Sequence, residues 1–586
     1  MTPGEYRGFI REAYVAPLRS VLIVDDDYPT LEEALAPVPE AERERLQDVG
    51  RGKRWWSEPD RIQEVITGFR RSKPPMIVDI HDGENLTQHA DAQVALHLHQ
   101  SDLLILDYSL DKSNKGNGER AIQIMRKVLL NEQFNLVVLH TSEILDDIFP
   151  DIVLALHAPA DRFISEDEEM EVIQHIAPAE NKDDTLMRRI ERSFTLAHYL
   201  FFRQHKCVWP EAPGPDAPPM ALFDTLAEEA GFADDRLKRL LAKLALRKLE
   251  TTLRPKMLAS PLQNLAWFSG PRKWIRADTG FIAFSSKPDN ADLIDELVLA
   301  LECSKPDPSK LFLAKMRSEI DKEGVTESKT LGNAHVLAHW YKRLLDSSDE
   351  ARKFQISESM ARHAELLMAD IQKPVADFAG RMIKADAKGS HDAVCKTHFD
   401  VDLGVATDRE RAVLEHNTFV CSKEQEGHHL ATGHVFEADG SLWVCMTPLC
   451  DLVPGRLKLD RHGKIGERLP FLAVRLELVT LPAKKVKVTS NRFVFLRIDG
   501  IIKTYCIAKE SDDGSNPIWF SLFAENQGRF GRAFTFKFTR AQLDRKGVFV
   551  MKVLPAKVVA QLRYEYALNF MQKLGTSMTR IGLDFV

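Results

Sequence analysis

Short apolar runs set out the first third of the chain. Ser20–Pro29 reads SVLIVDDDYP, Ser101–Leu110 reads SDLLILDYSL, and Asn135–His140 reads NLVVLH. Each is four apolar positions bounded by polar ones, the pattern of a strand buried on both faces in a parallel sheet. Between them lie amphipathic runs with helical spacing, such as ERAIQIMRKVLL over Glu119–Leu130. Strands alternating with helices predict an α/β domain over residues 1–180 with a doubly wound parallel sheet. A second strand is expected in PPMIVDI (Pro74–Ile80), and a fifth in DRFIS (Asp161–Ser165).

The pattern then changes twice. Residues 181–385 carry mainly i, i+3, i+4 apolar spacing, which predicts a helical middle region. Its exception is WFSGPRKWIRADTGFIAFSSK near 263–290, where aromatics and glycines predict a β-hairpin. Residues 386–586 shift to alternating strands with turn signals at Asp439–Gly440 and Asp499–Gly500. They predict a β-rich barrel or sandwich ending in a helix, with helical spacing from about Val558. The fold class is thus multidomain: α/β, then α, then β.

Chemistry enters at the strand ends. In an open parallel sheet ligands bind beyond the carboxyl ends of the strands. There the first strand offers Asp25, Asp26 and Asp27, the third Asp107, and the fourth Thr141 and Ser142. Adjacent carboxylates repel, and a hard divalent cation such as Mg²⁺ removes that penalty. A lone Asp beside a metal can attack phosphorus, and a nearby hydroxyl can bond a phosphoryl oxygen.

VLIVDDD, LLILDYSL and VVLHTS together resemble the strands of the receiver domain of bacterial response regulators, over about residues 15–180. The resemblance implies a flavodoxin-like sheet, with Asp25, Asp26 and Asp107 as Mg²⁺ ligands, Asp107 as phosphoacceptor and Thr141 as the switch hydroxyl. It implies a histidine kinase or another signalling protein as partner, and a phosphoacceptor or binding protein rather than a turnover enzyme. Two features depart from the family. The spacing from Asp26 to Asp107 is long, with an insertion at about 37–72 that holds Trp55 and Trp56. The family's lysine at the end of the fifth strand has no counterpart after DRFIS, where Glu166, Asp167, Glu168 and Glu169 follow instead. Two readings stay open: an atypical phosphoacceptor, or a pseudo-receiver that only binds a partner. Lys287 also ends an apolar strand ahead of a helix. No Gly-rich loop precedes it and no HRD or DFG follows, so it is not a kinase lysine.

A different candidate lies in the C-terminal region. Cys445, Cys450 and Asp451 follow His434 closely, and Cys450 with His434 as base is the form a Cys-dependent effector would take. The spacing fits structural zinc poorly, so Zn²⁺ is the lesser expectation and core burial of Cys445 the greater.

Composition narrows the classes. The 586 residues carry a net charge of −7, with 44% hydrophobic and 28% charged residues, which fits globular domains and no global pull toward nucleic acid. Lysines at 484, 485 and 487 and the basic run Arg540–Lys546 are the only local counter-case. No run of 18 apolar residues predicts a membrane span. Seven scattered cysteines favour a reducing cytoplasm over a disulfide framework. Homo-oligomerisation stays open.

Overall fold

The computed structural model describes residues 1–578, apart from 37, 49–51, 84–100, 113, 115, 132, 161–162, 208–216, 288–291, 324–333, 348, 454–464, 480–491, 508–516 and 544–545. The lysines at 484, 485 and 487 lie outside the described residues. The chain divides into two compact units, residues 1–322 with 378–385, and residues 323–377 with 386–586.

The first unit is built on a seven-stranded sheet: β1 (Ser20–Val24), β2 (Ile77–His81), β3 (Leu103–Leu106), β4 (Asn135–Thr141), β5 (Ala266–Phe268), β6 (Trp274–Ala277) and β7 (Gly280–Ser286). Their order is β2-β1-β3-β4-β7-β6-β5. The first five in that order run parallel, and β6 and β5 continue the sheet antiparallel. Strand alternation sends Leu22, Val24, Leu104, Leu106, Val137, Leu139, Ile282 and Phe284 to one face. Val21, Ile23, Leu103, Ile105, Leu136, Val138, Phe281 and Ala283 go to the other. Both faces are covered, which is why these strands read as unbroken apolar runs.

The fifth parallel strand is therefore β7; of the expected strand at 161–165, residues 161–162 lie outside the described residues and 163–165 are not a strand. Phe163 and Ile164 lie in a bend, and Ser165 caps helix Glu166–Glu180 in a capping box with Glu168. The acidic run sits in the first turn of that helix, where the macrodipole favours negative charge. Between β4 and β7 the chain inserts helices Glu166–Glu180, Leu186–Ser193, Leu196–Gln204, Ala221–Glu229 and Asp235–Leu253. Their apolar faces, including Ile190, Tyr199, Phe202, Leu241 and Ala245, join one core with the sheet. The opposite face packs Phe9, Ile10, Tyr14, Phe69, Leu297, Leu301 and Phe378. The first part of the helical middle region thus belongs to the sheet domain. The hairpin near 263–290 forms, and its last strand is β7.

The second unit is β-rich: β8 (Ser422–Lys423), β9 (His434–Ala438), β10 (Ser441–Cys445), β11 (Leu469–Leu478), β12 (Phe493–Ile498), β13 (Ile501–Cys506), β14 (Trp519–Ala524), β15 (Thr535–Leu543) and β16 (Phe549–Leu562). Pairing runs β10-β9-β16-β15-β14-β11, and β11 pairs back to β10, which closes a barrel of six strands; β13 and β12 extend from β11. Phe436, Phe471, Phe536 and Phe538 fill it edge to face. The terminal helix Tyr564–Met578 docks Ala567, Phe570 and Leu574 on the barrel's second apolar layer. It starts later than the spacing suggested, because Val558, Ala560 and Leu562 alternate inward as the end of β16.

Candidate functional site

Register brings the acidic residues together. Val24 lies opposite Leu106 in the β1–β3 ladder, so Asp25 and Asp107 leave neighbouring strands side by side. The Asp107 amide donates to the Val24 carbonyl at 2.9 Å, and the Asp25 amide to that of His81 at 3.0 Å. Both carboxylates are buried. Thr141 lies opposite Ser286 in the β4–β7 ladder, and Lys287 follows Ser286 directly. The Lys287 ammonium turns back across the rim. It donates to Asp25 Oδ2 at 2.7 Å and to Asp107 Oδ2 at 2.8 Å.

Lys287 is the residue that sequence reasoning missed. Its own signal was present: an apolar strand, a terminal lysine and a following helix capped by Asp292. What hid it was the inserted helical segment, which carries the fifth strand far from the other four. Lys287 occupies the place that the family's fifth-strand lysine implies, at the end of the strand beside β4.

The other groups are held by short bonds. Asp25 Oδ1 accepts from the Asp27 amide at 2.9 Å, and Asp107 Oδ1 from the Tyr108 amide at 2.8 Å. Lys112, from the loop after β3, donates to Asp27 Oδ1 and to the Gly52 carbonyl, each at 2.6 Å. Thr141 is fully buried, and its Oγ1 accepts from the Glu143 amide at 3.2 Å.

Burial and crowding set the charge states. Burial lowers the affinity of Lys287 for its proton, but the Asp25 and Asp107 carboxylates outweigh this and raise its pKa above the ordinary lysine value. Asp107 is raised, by burial first and by Asp25, because one ammonium serves two carboxylates. Asp26 is pushed up to about 7 by burial and by Asp25, Asp27 and Asp107, against the pull of Lys112. Burial also acts on Asp27, but its bond to Lys112 brings it below the usual carboxylate range.

Asp25, Asp26 and Asp27 each offer an oxygen within 4.8 Å of one another. Hard carboxylate donors with one member raised by burial and by its neighbours fit a divalent cation of the Mg²⁺ type. Asp107, expected as a third ligand with Asp25 and Asp26, is not in this group; it shares the Lys287 ammonium with Asp25.

The C-terminal candidates do not converge in the same way. Cys445 lies at the barrel core, its thiol pushed up to about 12 by burial. His434 Nδ1 accepts from the Ala431 amide at 3.0 Å, which leaves Nε2 to donate to the Glu426 carbonyl at 3.1 Å. Both nitrogens are thereby committed, and burial pushes the ring's pKa down to about 4. No lone pair remains to activate Cys450, which is exposed on the turn Leu449–Asp451. Among the described residues, Asp25, Asp26 and Asp27 are the group of potential ligands that meets.

A parallel sheet with an acidic cluster, a lone aspartate and a lysine at one rim defines a receiver-type α/β domain. Residues 17–181 match the family described as Response receiver domain, and the remainder of the chain matches no family. The match stops before β7 and Lys287. No curated protein and no solved structure matches the chain. A receiver domain indicates a two-component signalling protein, and one that meets signalling partners. Among the described residues no helix is long and apolar enough to cross a membrane.

Proposed function

We propose that the first unit accepts a phosphoryl group on Asp107 from the phosphohistidine of a partner kinase and passes the change to the remainder of the chain. The observation that carries this reading is Lys287 seated on Asp25 and Asp107 together. In the transfer, a carboxylate oxygen of Asp107 forms the new bond to phosphorus. The bond from phosphorus to the donor imidazole breaks, and the imidazole nitrogen takes a proton. Lys287 is placed to pair with the phosphoryl oxygens once its bond to Asp107 loosens. Thr141 would then turn its hydroxyl from the Glu143 amide to the phosphoryl group. Asp25 and Asp26 with Asp107, and Asp27 beside them, would hold Mg²⁺, which supplies charge neutralisation at the transferring group. Added charge at this rim biases how β4, β7 and their helices pack, the general route by which such a modification acts.

A second reading is a pseudo-receiver that binds a partner without phosphorylation. The internal pairing of Asp27 with Lys112 and of Asp25 with Lys287 favours it, since both carboxylates already have cations. Incubation with acetyl phosphate and Mg²⁺ followed by intact mass separates the two. The phosphoacceptor reading expects one added phosphoryl group on the native chain, none on Asp107→Asn, and at least a tenfold slower gain on Lys287→Met. A native chain that gains nothing, or an adduct that survives Asp107→Asn, leaves the scaffold reading in place.

A further inference from the structure

The inserted segment is tied to the acidic rim by two lysines. Lys112, with 16% of its side chain exposed, spans from Asp27 Oδ1 to the Gly52 carbonyl with one ammonium, at 2.6 Å to each. Lys53 reaches back into the domain and donates to Glu33 at 2.6 Å and to Asp82, just beyond β2, at 2.7 Å. Between these ties the backbone leans on Asp27 itself. The Arg54 amide lies 3.4 Å from Asp27 Oδ1, and the Trp55 amide 3.4 Å from its carbonyl. Residues 52–58, with the short turn Arg54–Trp56, thus form a strap beside the end of β1. Arg54 and Trp55 line the same cavity as Asp107 and Lys287, so the strap is one wall of the approach to Asp107.

Asp27 is at once the strap's anchor and one of the three carboxylates whose oxygens lie within 4.8 Å of one another. A divalent cation held by those oxygens brings like charge beside the Lys112 ammonium, in a partly buried place where repulsion is weakly screened. Asp27 cannot serve both cations fully. The Gly52 carbonyl accepts from the same ammonium that neutralises Asp27. Displacing Lys112 from Asp27 therefore removes a tie of the strap as well. Lys53 keeps its own two carboxylates, so the strap loosens without leaving the domain.

We propose that Lys112 is a built-in competitor of the divalent cation, and that it couples loading of the acidic site to loosening of the strap at residues 52–58. Its ammonium neutralises Asp27 and pins the strap together. Metal loading turns that ammonium off Asp27 and frees the wall beside Asp107. The inference rests on the reading that Asp25, Asp26 and Asp27 hold a divalent cation, and not on phosphoryl transfer. Such coupling is reciprocal: whatever loosens the strap at Lys112 tightens the metal.

Mn²⁺ is a suitable probe, because it takes the same hard oxygen donors as Mg²⁺ and its free form gives an electron paramagnetic resonance signal that falls on binding. On the full chain, Lys112→Met should bind Mn²⁺ at least tenfold more tightly than the native chain. A lysine with only a packing role would leave a weaker site when removed, not a tighter one. Hydrogen–deuterium exchange read by mass spectrometry follows the strap. In the native chain, saturating Mg²⁺ should speed exchange in peptides covering residues 52–58 at least threefold. Lys112→Met should exchange at that faster rate without metal and respond little to it. The native comparison with and without Mg²⁺ needs no variant, so it decides the matter even if Lys112→Met fails to fold. Equal Mn²⁺ affinity in the two folded chains, or native exchange at 52–58 that Mg²⁺ leaves unchanged or slows, overturns the coupling and leaves the metal site standing. Mn²⁺ bound by neither chain overturns the metal reading together with it.

Discussion

At the scale of single residues, the site is a problem of too many carboxylates for two lysines. Asp25 and Asp107 share Lys287, Asp27 takes Lys112, and Asp26 is left to be raised to about 7. Its folded pKa lies above that of the unfolded chain, about 4. Folded protein therefore binds the proton more tightly. Stability from this group is fully present below about pH 4 and is lost as pH rises toward 7. For a half-buried group the loss is about 2 kcal/mol after solvent screening. Denaturant unfolding without divalent ions should show the native chain weakening over this range. Asp26→Asn should flatten that slope and be the more stable at pH 8. Millimolar Mg²⁺ should restore the native chain at pH 8, because a ligand that binds only the folded, ionised site stabilises it by mass action. It should do little at pH 5, or for Asp26→Asn. A native chain whose stability is flat from pH 4 to 8 would remove Asp26 from the account. The carboxylates themselves were legible in the sequence, because each closes an apolar strand. That Asp26 is the unpaired member was not, since pairing depends on where Lys112 and Lys287 reach.

Among the elements, the contrast is between two strand-like stretches. DRFIS and GFIAFSS both carry apolar residues bounded by polar ones, but the second enters the sheet and the described residues of the first, 163–165, do not. Local pattern says that a stretch can be a strand; it does not say which strand it pairs with. The hairpin of β6 and β7 was readable from the aromatics and glycines near 263–290. The pairing of β7 with β4 across seven residues of register was not. The four acidic residues after DRFIS were informative in another way. Read beside a strand they would repel a phosphoryl group, but read after Ser165 they are a helix start. Ser165→Ala removes the hydroxyl that accepts from the Glu168 amide. It should cost about 1 kcal/mol of stability in chemical denaturation. Because Ser165 is remote from Asp107 in this topology, acetyl phosphate labelling should keep its native rate. A labelling defect with unchanged stability would instead place residues 161–165 at the site.

Across the whole molecule, the inserted helices are part of the sheet's core, not an appendage. Glu250 from helix Asp235–Leu253 is buried and accepts from the Tyr199 hydroxyl at 2.7 Å and the Ala160 amide at 3.0 Å. Arg203 adds a contact to the same carboxylate at 3.3 Å and reaches the Ala158 carbonyl at 2.9 Å. This network ties two inserted helices to the chain just after the β4 helix. The family match ends at residue 181, ahead of most of these partners and of β7. A chain cut there would leave β4 as an edge with Leu136, Val137, Val138 and Leu139 uncovered on the β7 side, and such edges invite association. It would also leave Asp25 and Asp107 buried together with no lysine between them. Residues 1–181 expressed alone should therefore aggregate or lack cooperative unfolding. Residues 1–386 retain β7, Lys287 and the Phe378 contact with Phe9, and should give one cooperative transition. Thermal unfolding by circular dichroism with size-exclusion chromatography distinguishes them. If residues 1–181 fold as a monomer with a sharp transition, the sheet is complete without β7, and Lys287 loses its place in the site.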